Sequence, residues 1–244
     1  MPYRILNTDE AAKYLNLSRS DLDRLVKDQE VPFERRGDRV VFRRRDLDGW
    51  ASQRILSANP KRLAEFHRRS TEHAGLESNA ILPELIQPDQ IAPEIAAKTK
   101  PSVLREMVEF AAQTGWVFDP AELVESLQAR EELCSTGFPG GLAFLHPRAQ
   151  QPYRFEVSFL VLGRTLQPIY FGAPDGQPTD LFFLLCFKDD MLHLHALARL
   201  CLIAHKTDLL AQLRAAPDAA AMHECLIAAE RAVVEDLHPA GKAA

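Results

Sequence analysis

The sequence lacks long apolar runs. Its longest purely apolar stretch, LFFLLCF at 181–187, is far shorter than the roughly 20 residues that a membrane-spanning helix needs. The first residues, MPYRILNTDEAAK, reach Asp9 and Glu10 without the apolar segment that a secretion signal contains. We therefore expect a soluble, cytoplasmic protein with no membrane span.

Cysteine is also scarce, with four residues and no CxxC pair: Cys134, Cys186, Cys201 and Cys225. Three of the four lie in apolar stretches, which is typical of free, buried thiols in a reducing compartment. This pattern argues against a fold held together by disulfides.

Neither sign of charge is in large excess, since 29 basic and 34 acidic residues give a net charge of −5. The distribution is uneven, however. Residues 1–70 hold 16 basic and 11 acidic side chains, a balance of +5, which leaves 13 basic and 23 acidic side chains, a balance of −10, in the remainder. One end could approach a polyanion that the other end would repel, and this indicates two domains with different partners.

The first 50 residues carry the signals of three helices and a hairpin. Asn7 or Thr8 can cap a first helix, and Ser18 can cap a second helix with apolar residues at helical spacing. Gly37-Asp38 form a turn between two short extended segments, and a third helix begins at Arg45. This order predicts a winged helix-turn-helix.

The stretch ILNTDEAAKYLNLSRSDLDRLVKDQEVPFERRGDRVVFRRRDLDGWAS, residues 5–52, resembles the excisionase/MerR-like DNA-binding family. The resemblance lies in DEAAKYLNLSRSDLDRLV, in VP before the hairpin, and in RRGDRVVFRRRDLDGW. It implies a winged helix-turn-helix domain over residues 1–54. In such a domain the second helix reads the DNA major groove and the hairpin wing contacts phosphate.

The basic residues of the second helix and the wing are therefore candidate contacts to duplex DNA. The candidates are Arg19, Ser20, Arg24, Arg35, Arg36, Arg39 and Arg43, and Arg44 follows the last of them. Asp21 and Asp23 stand on the same helix and would oppose phosphate. The alternative is that this surface docks onto the acidic domain or another protein.

The rest of the chain follows a connector. Residues 55–80 are predicted to be a linker, partly formed by a solvated helix with a thin apolar stripe at Leu63 and Phe66. Residues 81–238 are predicted to be an α/β domain, a mixed sheet flanked by helices. Its strands are expected at 141–145, 154–163 and 180–187, and its helices at 102–114, 120–130, 190–204, 206–215 and 218–235.

A glycine- and hydroxyl-rich segment, STGFPGGLAFLH, runs from Ser135 to His146. Successive backbone N–H groups around glycines can bind an anion, and a neutral imidazole is a nucleophile at cellular pH. Arg130, just before this segment, can bind phosphoryl oxygens through its planar guanidinium. The chemistry indicates phosphoryl transfer to His146, with a phosphate loop formed by Ser135, Thr136, Gly137, Gly140 and Gly141.

Residues 81–235 resemble the enzyme IIA domains of the fructose/mannitol/nitrogen-regulatory class of the sugar phosphotransferase system. The resemblance lies in REELCSTGFPGGLAFLHP, PIYFGAPDGQPTDLFFLLCF and HLHALARLCLIA. It implies that His146 accepts the phosphoryl group, that His193 is the second active-site histidine, and that Arg130 lies at the site. The chain departs from the family's Pro-His-Gly, because here the triplet is Leu145-His146-Pro147.

His193 and His195 are two residues apart on a helix and cannot both face one site, which also argues against zinc. We expect neither a metal nor a cofactor. His195 is expected to be solvent-exposed or a packing residue, and His146 is expected in a shallow surface depression that a protein donor can reach.

The function expected from both resemblances is a phosphorylation-responsive regulator. A histidine phosphocarrier protein would be the phosphoryl donor, and duplex DNA is a possible partner of the winged helix. The alternatives are a phosphocarrier or a IIA-like interaction module whose winged helix binds protein, and a homodimer is possible. If the winged helix docks near His146, phosphorylation is expected to tighten the docked state by attracting its arginines.

Overall fold

The computed structural model describes residues 5–74, 80–148, 151 and 153–237. Residues 1–4, 75–79, 149, 150, 152 and 238 of the predicted domains and linker lie outside this description. Within the described residues, no helix combines the length and the apolar character needed to cross a membrane.

The N-terminal unit has the predicted order of helices and hairpin. Its elements are β1 (Ile5–Leu6), α1 (Thr8–Tyr14), α2 (Arg19–Lys27), β2 (Glu34–Arg36), β3 (Arg39–Arg43) and α3 (Arg44–Leu56). Asn7 and Glu10 form a capping box at α1, and the Ser18 side chain caps α2. The strands form an antiparallel sheet in the order β1-β3-β2, with Gly37 at φ 60° in the hairpin turn. The fold is a helix-turn-helix with a wing.

The C-terminal unit is an α/β structure. After helix α4 (Pro60–Ala74), its elements are α5 (Leu82–Leu85), β4 (Ile91–Ile95), α6 (Lys100–Ala112), α7 (Pro120–Leu133), β5 (Gly137–Phe138), β6 (Leu142–Leu145), β7 (Phe159–Ile169), β8 (Thr179–Cys186), α8 (Asp190–Lys206), α9 (Leu209–Ala215) and α10 (Ala219–Leu237). The five-stranded sheet has the order β4-β7-β8-β6-β5. The β6–β8 and β4–β7 pairs are parallel and the other two are antiparallel, so the sheet is mixed as predicted.

Helices cover both faces of this sheet. On β6, Leu142 and Phe144 pack in the layer that contains α8, whereas Ala143 and Leu145 pack in the layer that contains α6. Burial on both faces explains why β6 and β8 read as continuous apolar runs. The apolar residues of the N-terminal unit belong to the same cluster as those of α8, so the two units share one core layer.

The predicted solvated linker helix is instead a packed helix. Leu63, His67 and Ser70 of α4 are buried, and α4 packs along α8. Helix α3 packs on α8 beside it. Only residues 57–59 separate α3 from α4. The local pattern did not reveal this packing, because the partner surface lies more than 100 residues away in the sequence.

Candidate functional site

Two histidines meet at one edge of the sheet. His146 directly follows β6, and His193 lies near the start of α8, which follows β8. Because β6 and β8 are parallel neighbours, their carboxyl ends share an edge, and this brings the two rings together. Their centroids are 5.1 Å apart. The resemblance predicted this pairing.

The backbone fixes the tautomer of His146. Its Nδ1 lies 2.8 Å from the carbonyl oxygen of Phe144, which can only accept, so Nδ1 carries the proton and donates it. Nε2 therefore holds the lone pair. The Nε–H of Arg130 donates to this Nε2 at 3.2 Å. Nε2 is thus the ring nitrogen with a lone pair, and it accepts a hydrogen bond from a guanidinium.

Arg130 lies in the last turn of α7 and is 2% exposed. Its Nη1 donates to the carbonyl oxygen and the Sγ of Cys134, at 3.0 and 3.1 Å. Its Nη2 is buried and has no hydrogen-bond partner within the described part of the chain. A buried cationic N–H without a partner is costly, and an anion beside His146 would satisfy it.

Both histidines are neutral at neutral pH. Burial, and after it the charge of Arg130 and the neighbouring His193, holds the pKa of His146 well below its ordinary value. Burial and Arg130 lower the pKa of His193 to about 3. A neutral imidazole is the form that can act as a nucleophile.

The predicted phosphate loop does not close on His146. Ser135, Thr136 and Gly137 run antiparallel to β6 near its carboxyl end, where the Phe144 N–H donates to the Thr136 carbonyl. Gly140 and Gly141 form the turn at the opposite end of β6, about 13 Å away for four residues of strand. There Arg214 donates to the Gly140 carbonyl and to Asp180, and the Gly140 N–H donates to Asp175. These two glycines shape a hairpin turn and do not line the His146 site.

Helix α3 of the N-terminal unit covers the histidine pair. The Ser52 Oγ lies 3.5 Å from Nε2 of His193, and His146 is only 1% exposed. The predicted shallow, open depression is therefore wrong, because a second unit of the same chain lies over the site. Arg44, Asp48 and Ser52 are spaced by four residues and share one helix face, and this polar stripe beside an apolar one was the available sequence signal.

The covering face of α3 carries polar and charged side chains, of which Asp48 and Ser52 are buried. The Tyr14 hydroxyl donates to Asp48 Oδ1 at 3.3 Å, and Arg44 forms an ion pair with Asp190 at the start of α8. Burial, and after it Asp190, raises the pKa of the Asp48 carboxyl, whereas the Tyr14 hydrogen bond and the charges of Arg130 and Arg44 act in the opposite direction. Arg44, placed by the sequence among the DNA-facing arginines, instead joins the two units.

The other predicted DNA contacts lie on a different surface. Arg19, Ser20, Arg24, Arg35, Arg36, Arg39 and Arg43 are all exposed. Several are paired within the unit: Arg19 with Asp9, Arg24 with Asp21 at 3.0 Å, and both Arg36 and Arg43 with Glu34. The guanidinium of Arg35 stands 5.8 Å from the centre of the Phe33 ring. This surface stays accessible while α3 covers the histidines.

A second buried polar cluster joins α4 to α8. Arg199 donates to His67 Nε2 at 2.7 Å and to Glu230 at 2.7 Å. The Ser70 hydroxyl donates to the His67 carbonyl, so its 2.8 Å contact with His195 Nδ1 makes that nitrogen the donor. His195 is 1% exposed, and burial followed by the charge of Arg199 lowers its pKa to about 3. Of the two alternatives, exposed or packed, the structure shows a packed His195.

Comparisons with known proteins agree with this architecture. The family model described as "Phosphoenolpyruvate-dependent sugar phosphotransferase system, EIIA 2" matches residues 84–229, and a helix-turn-helix domain model matches residues 5–55. The first match spans more than half of the chain. The chain belongs to this enzyme IIA family. It combines a IIA domain with an N-terminal helix-turn-helix domain.

The similar proteins include nitrogen regulatory proteins. The chain is 33% identical over 145 residues to the "Nitrogen regulatory protein" of Bradyrhizobium diazoefficiens, covering 59% of this chain and 92% of that protein. It is 30% identical over 148 residues to the Pseudomonas aeruginosa protein of the same name, covering 60% and 94%. A crystal structure of nitrogen regulatory protein IIA-Ntr from Neisseria meningitidis superposes with a TM-score of 0.55 at 24% identity, covering 60% of this chain and 99% of that one. This structural likeness shows the fold of the IIA domain.

Proposed function

We propose that His146 of the IIA domain accepts a phosphoryl group from a histidine phosphocarrier protein, and that the phosphorylation state controls the helix-turn-helix domain. The observation that carries the proposal is the pairing of His146 with Arg130. Nε2 bears the lone pair because Nδ1 donates to the Phe144 carbonyl, and Arg130, whose Nε–H donates to this Nε2, has a buried Nη2 with no partner among the described residues.

The proposed step is an in-line transfer. The lone pair of Nε2 attacks the phosphorus of the donor's phosphohistidine, a new N–P bond forms as the donor's N–P bond breaks, and the donor imidazole leaves with the electron pair. Arg130 stabilises the charge on the transferring oxygens, and neutral His193 lies beside the acceptor ring. Ser135 and Thr136 support this end of β6 through their contacts with Phe171 and Glu131.

The test is phosphorylation of the full chain by phosphoenolpyruvate, enzyme I and phosphocarrier, followed by intact-mass measurement. We expect one acid-labile phosphoryl group on the wild type, none on His146→Ala, and a full group on His223→Ala, a matched histidine on α10. Undiminished labelling of His146→Ala would contradict the proposal.

For the helix-turn-helix domain we propose duplex DNA as the partner, because the candidate contacts are exposed and lie away from the face that packs on the IIA domain. The competing function is protein binding. The ion pairs that Arg19 and Arg24 make with aspartates favour it, since they reduce the charge available to phosphate. Salt dependence of DNA binding separates the two.

A further inference from the structure

The IIA domain is closed at the one place where a protein donor must reach it. Transfer between two proteins requires the phosphoryl group of one to touch the nucleophile of the other. His146 and His193 are 1% and 0% exposed, and Ser52 of α3 contacts the second of them. A phosphocarrier cannot reach Nε2 while α3 lies in this position.

The residues of α3 that face the IIA domain make specific polar contacts in this position. Arg44 pairs with Asp190 on α8, Ser52 meets His193, and Asp48 lies between them on the same face, 2% exposed. Burial, and after it Asp190, raises the pKa of the Asp48 carboxyl, and the charge of Arg130 acts against this rise. The face of α3 thus brings an arginine, a buried carboxyl and a hydroxyl into the contact with α8.

We infer that the face of the IIA domain around His146 is a docking surface for this chain's own helix α3, and that docking and phosphorylation of His146 exclude each other. The inference rests on the proposed function. A phosphoryl group on Nε2 would add three oxygens and a charge of about −1.5 to −2 to a buried ring that lies 5.1 Å, centroid to centroid, from His193, which Ser52 of α3 now contacts.

The inferred effect of phosphorylation, release of α3, is the opposite of the tighter docking expected from the sequence. That expectation assumed that the arginines of the helix-turn-helix domain would surround the phosphoryl group. In the structure, Arg44 crosses the interface but is already paired with Asp190, and the group of α3 that contacts the histidine pair is the Ser52 hydroxyl. Phosphorylation therefore releases α3, and a docked α3 slows phosphorylation.

The Arg44–Asp190 pair allows a charge-swap experiment on the full chain. Arg44→Glu places two acidic groups against each other and should undock α3, as should Asp190→Arg. The double variant Arg44→Glu/Asp190→Arg restores the pair with opposite polarity. Arg54→Glu is the matched control, because Arg54 is on the same helix but exposed, over the ring of Trp50.

The first readout is the initial rate of His146 phosphorylation by the phosphocarrier. If the open form is a minor state of about 1–10%, the single variants should be labelled about 10- to 100-fold faster than the wild type. The double variant should return towards the wild-type rate, and Arg54→Glu should match the wild type. A folded Arg44→Glu protein labelled no faster than the wild type overturns the inference and leaves the proposed function standing.

The second readout does not depend on phosphoryl transfer. Amide hydrogen exchange should accelerate in residues 47–56 of α3 in Arg44→Glu, and also in the wild type once it is phosphorylated, but not in Arg54→Glu. Unchanged exchange in Arg44→Glu overturns the inference even if no protein is labelled. Absence of label on every variant, with faster exchange in Arg44→Glu, would overturn the proposed function and with it the link between docking and phosphorylation.

Discussion

The Ser52 Oγ of the helix-turn-helix domain lies 3.5 Å from Nε2 of His193 in the IIA domain, although 141 residues separate the two in sequence. His193 is in turn 5.1 Å, ring to ring, from His146. Ser52, His193 and His146 thus connect the helix-turn-helix domain to the proposed phosphoryl acceptor. Any movement of α3 therefore changes the surroundings of the histidine pair.

Arg130→Lys should impair phosphoryl transfer although it keeps the positive charge. Lysine lacks the forked guanidinium that reaches His146 and Cys134 together. We expect the initial rate of phosphorylation to fall about 100-fold, the usual effect of losing one transition-state donor. Arg105→Lys, an exposed change on α6, is the control and should match the wild type. Equal initial rates for Arg130→Lys and the wild type would contradict a role for the Arg130 guanidinium in phosphoryl transfer.

The tautomer and protonation of the histidines can be observed directly by nitrogen NMR. At pH 7 we expect His146 protonated on Nδ1 alone. Because the pKa of His146 is held well below the ordinary value, its ring should stay neutral at pH 6.5, where an ordinary imidazole is half protonated, and His193 should titrate near 3. In Arg44→Glu, which exposes the pair, both pKa values should move up towards about 6.5. Titration of His193 near 6.5 in the wild type would contradict the closed structure.

Burial of His195 predicts a pH dependence of stability. Its pKa is lowered to about 3 in the folded protein but is about 6.5 when unfolded, so unfolding takes up a proton between these values. The folded state therefore loses stability as the pH falls below about 6.5. His195→Gln should reduce the slope of unfolding free energy against pH, near pH 5, by about 1.4 kcal/mol per pH unit.

Urea unfolding at a series of pH values measures this slope. Above about pH 7.5 neither folded nor unfolded His195 binds a proton, so the slopes of the two proteins should coincide there. Comparing slopes separates this effect from any general loss of stability in the variant. Identical slopes near pH 5 would mean that His195 is not buried as a neutral group.

The hairpin turn gives a test of the predicted phosphate loop. Gly141 has φ 81°, and a Cβ there would lie 2.5 Å from Nη2 of Arg214, so Gly141→Ala should destabilise the protein by about 1–3 kcal/mol. It should leave the phosphorylation rate of the folded protein unchanged, because the turn is at the far end of β6. Gly49→Ala in α3, where the Cβ meets open space, should stabilise by up to about 1 kcal/mol. Loss of phosphorylation in folded Gly141→Ala would mean that Gly141 does contribute to the phosphate loop at His146.

DNA binding by the helix-turn-helix domain should depend steeply on salt. Arg35→Gln and Arg39→Gln in the wing should each reduce the slope of log affinity against log salt by about one, across all sequences. Arg24→Ala on α2 should mainly relax sequence preference. Fluorescence anisotropy on genomic fragments, with Arg105→Gln as the charge-matched control, measures both effects. Binding that does not respond to salt, or no binding at low salt, would favour a protein partner.

The sequence predicted the local structure well where local signals decide it. The caps at Asn7 and Ser18 and the turn at Gly37 lie next to the elements that they shape. Strand β4 was not predicted, since Pro93 interrupts its pattern, and β7 starts at Phe159, five residues later than expected.

The candidate site was predictable only in part. The pairing of His146 with His193 followed from the resemblance to a family. The covering of this pair by α3 did not follow from it, because Asp48 and Ser52 are polar residues, which a local pattern places at the solvent. Their burial depends on α8, which comes more than 100 residues later in the chain. A single sequence gives little signal for contacts between elements that are this far apart in the chain.

The short connection between α3 and α4, residues 57–59, makes the fraction of closed molecules independent of protein concentration. Since α4 is fixed to α8 through His67 and Ser70, a released helix-turn-helix domain stays tethered by roughly 10 Å of extended chain. Such a tether gives an effective concentration of at least about a millimolar. The closed fraction is then the same at any expression level, whereas a separately expressed helix-turn-helix domain would need millimolar amounts to cover the same IIA domain.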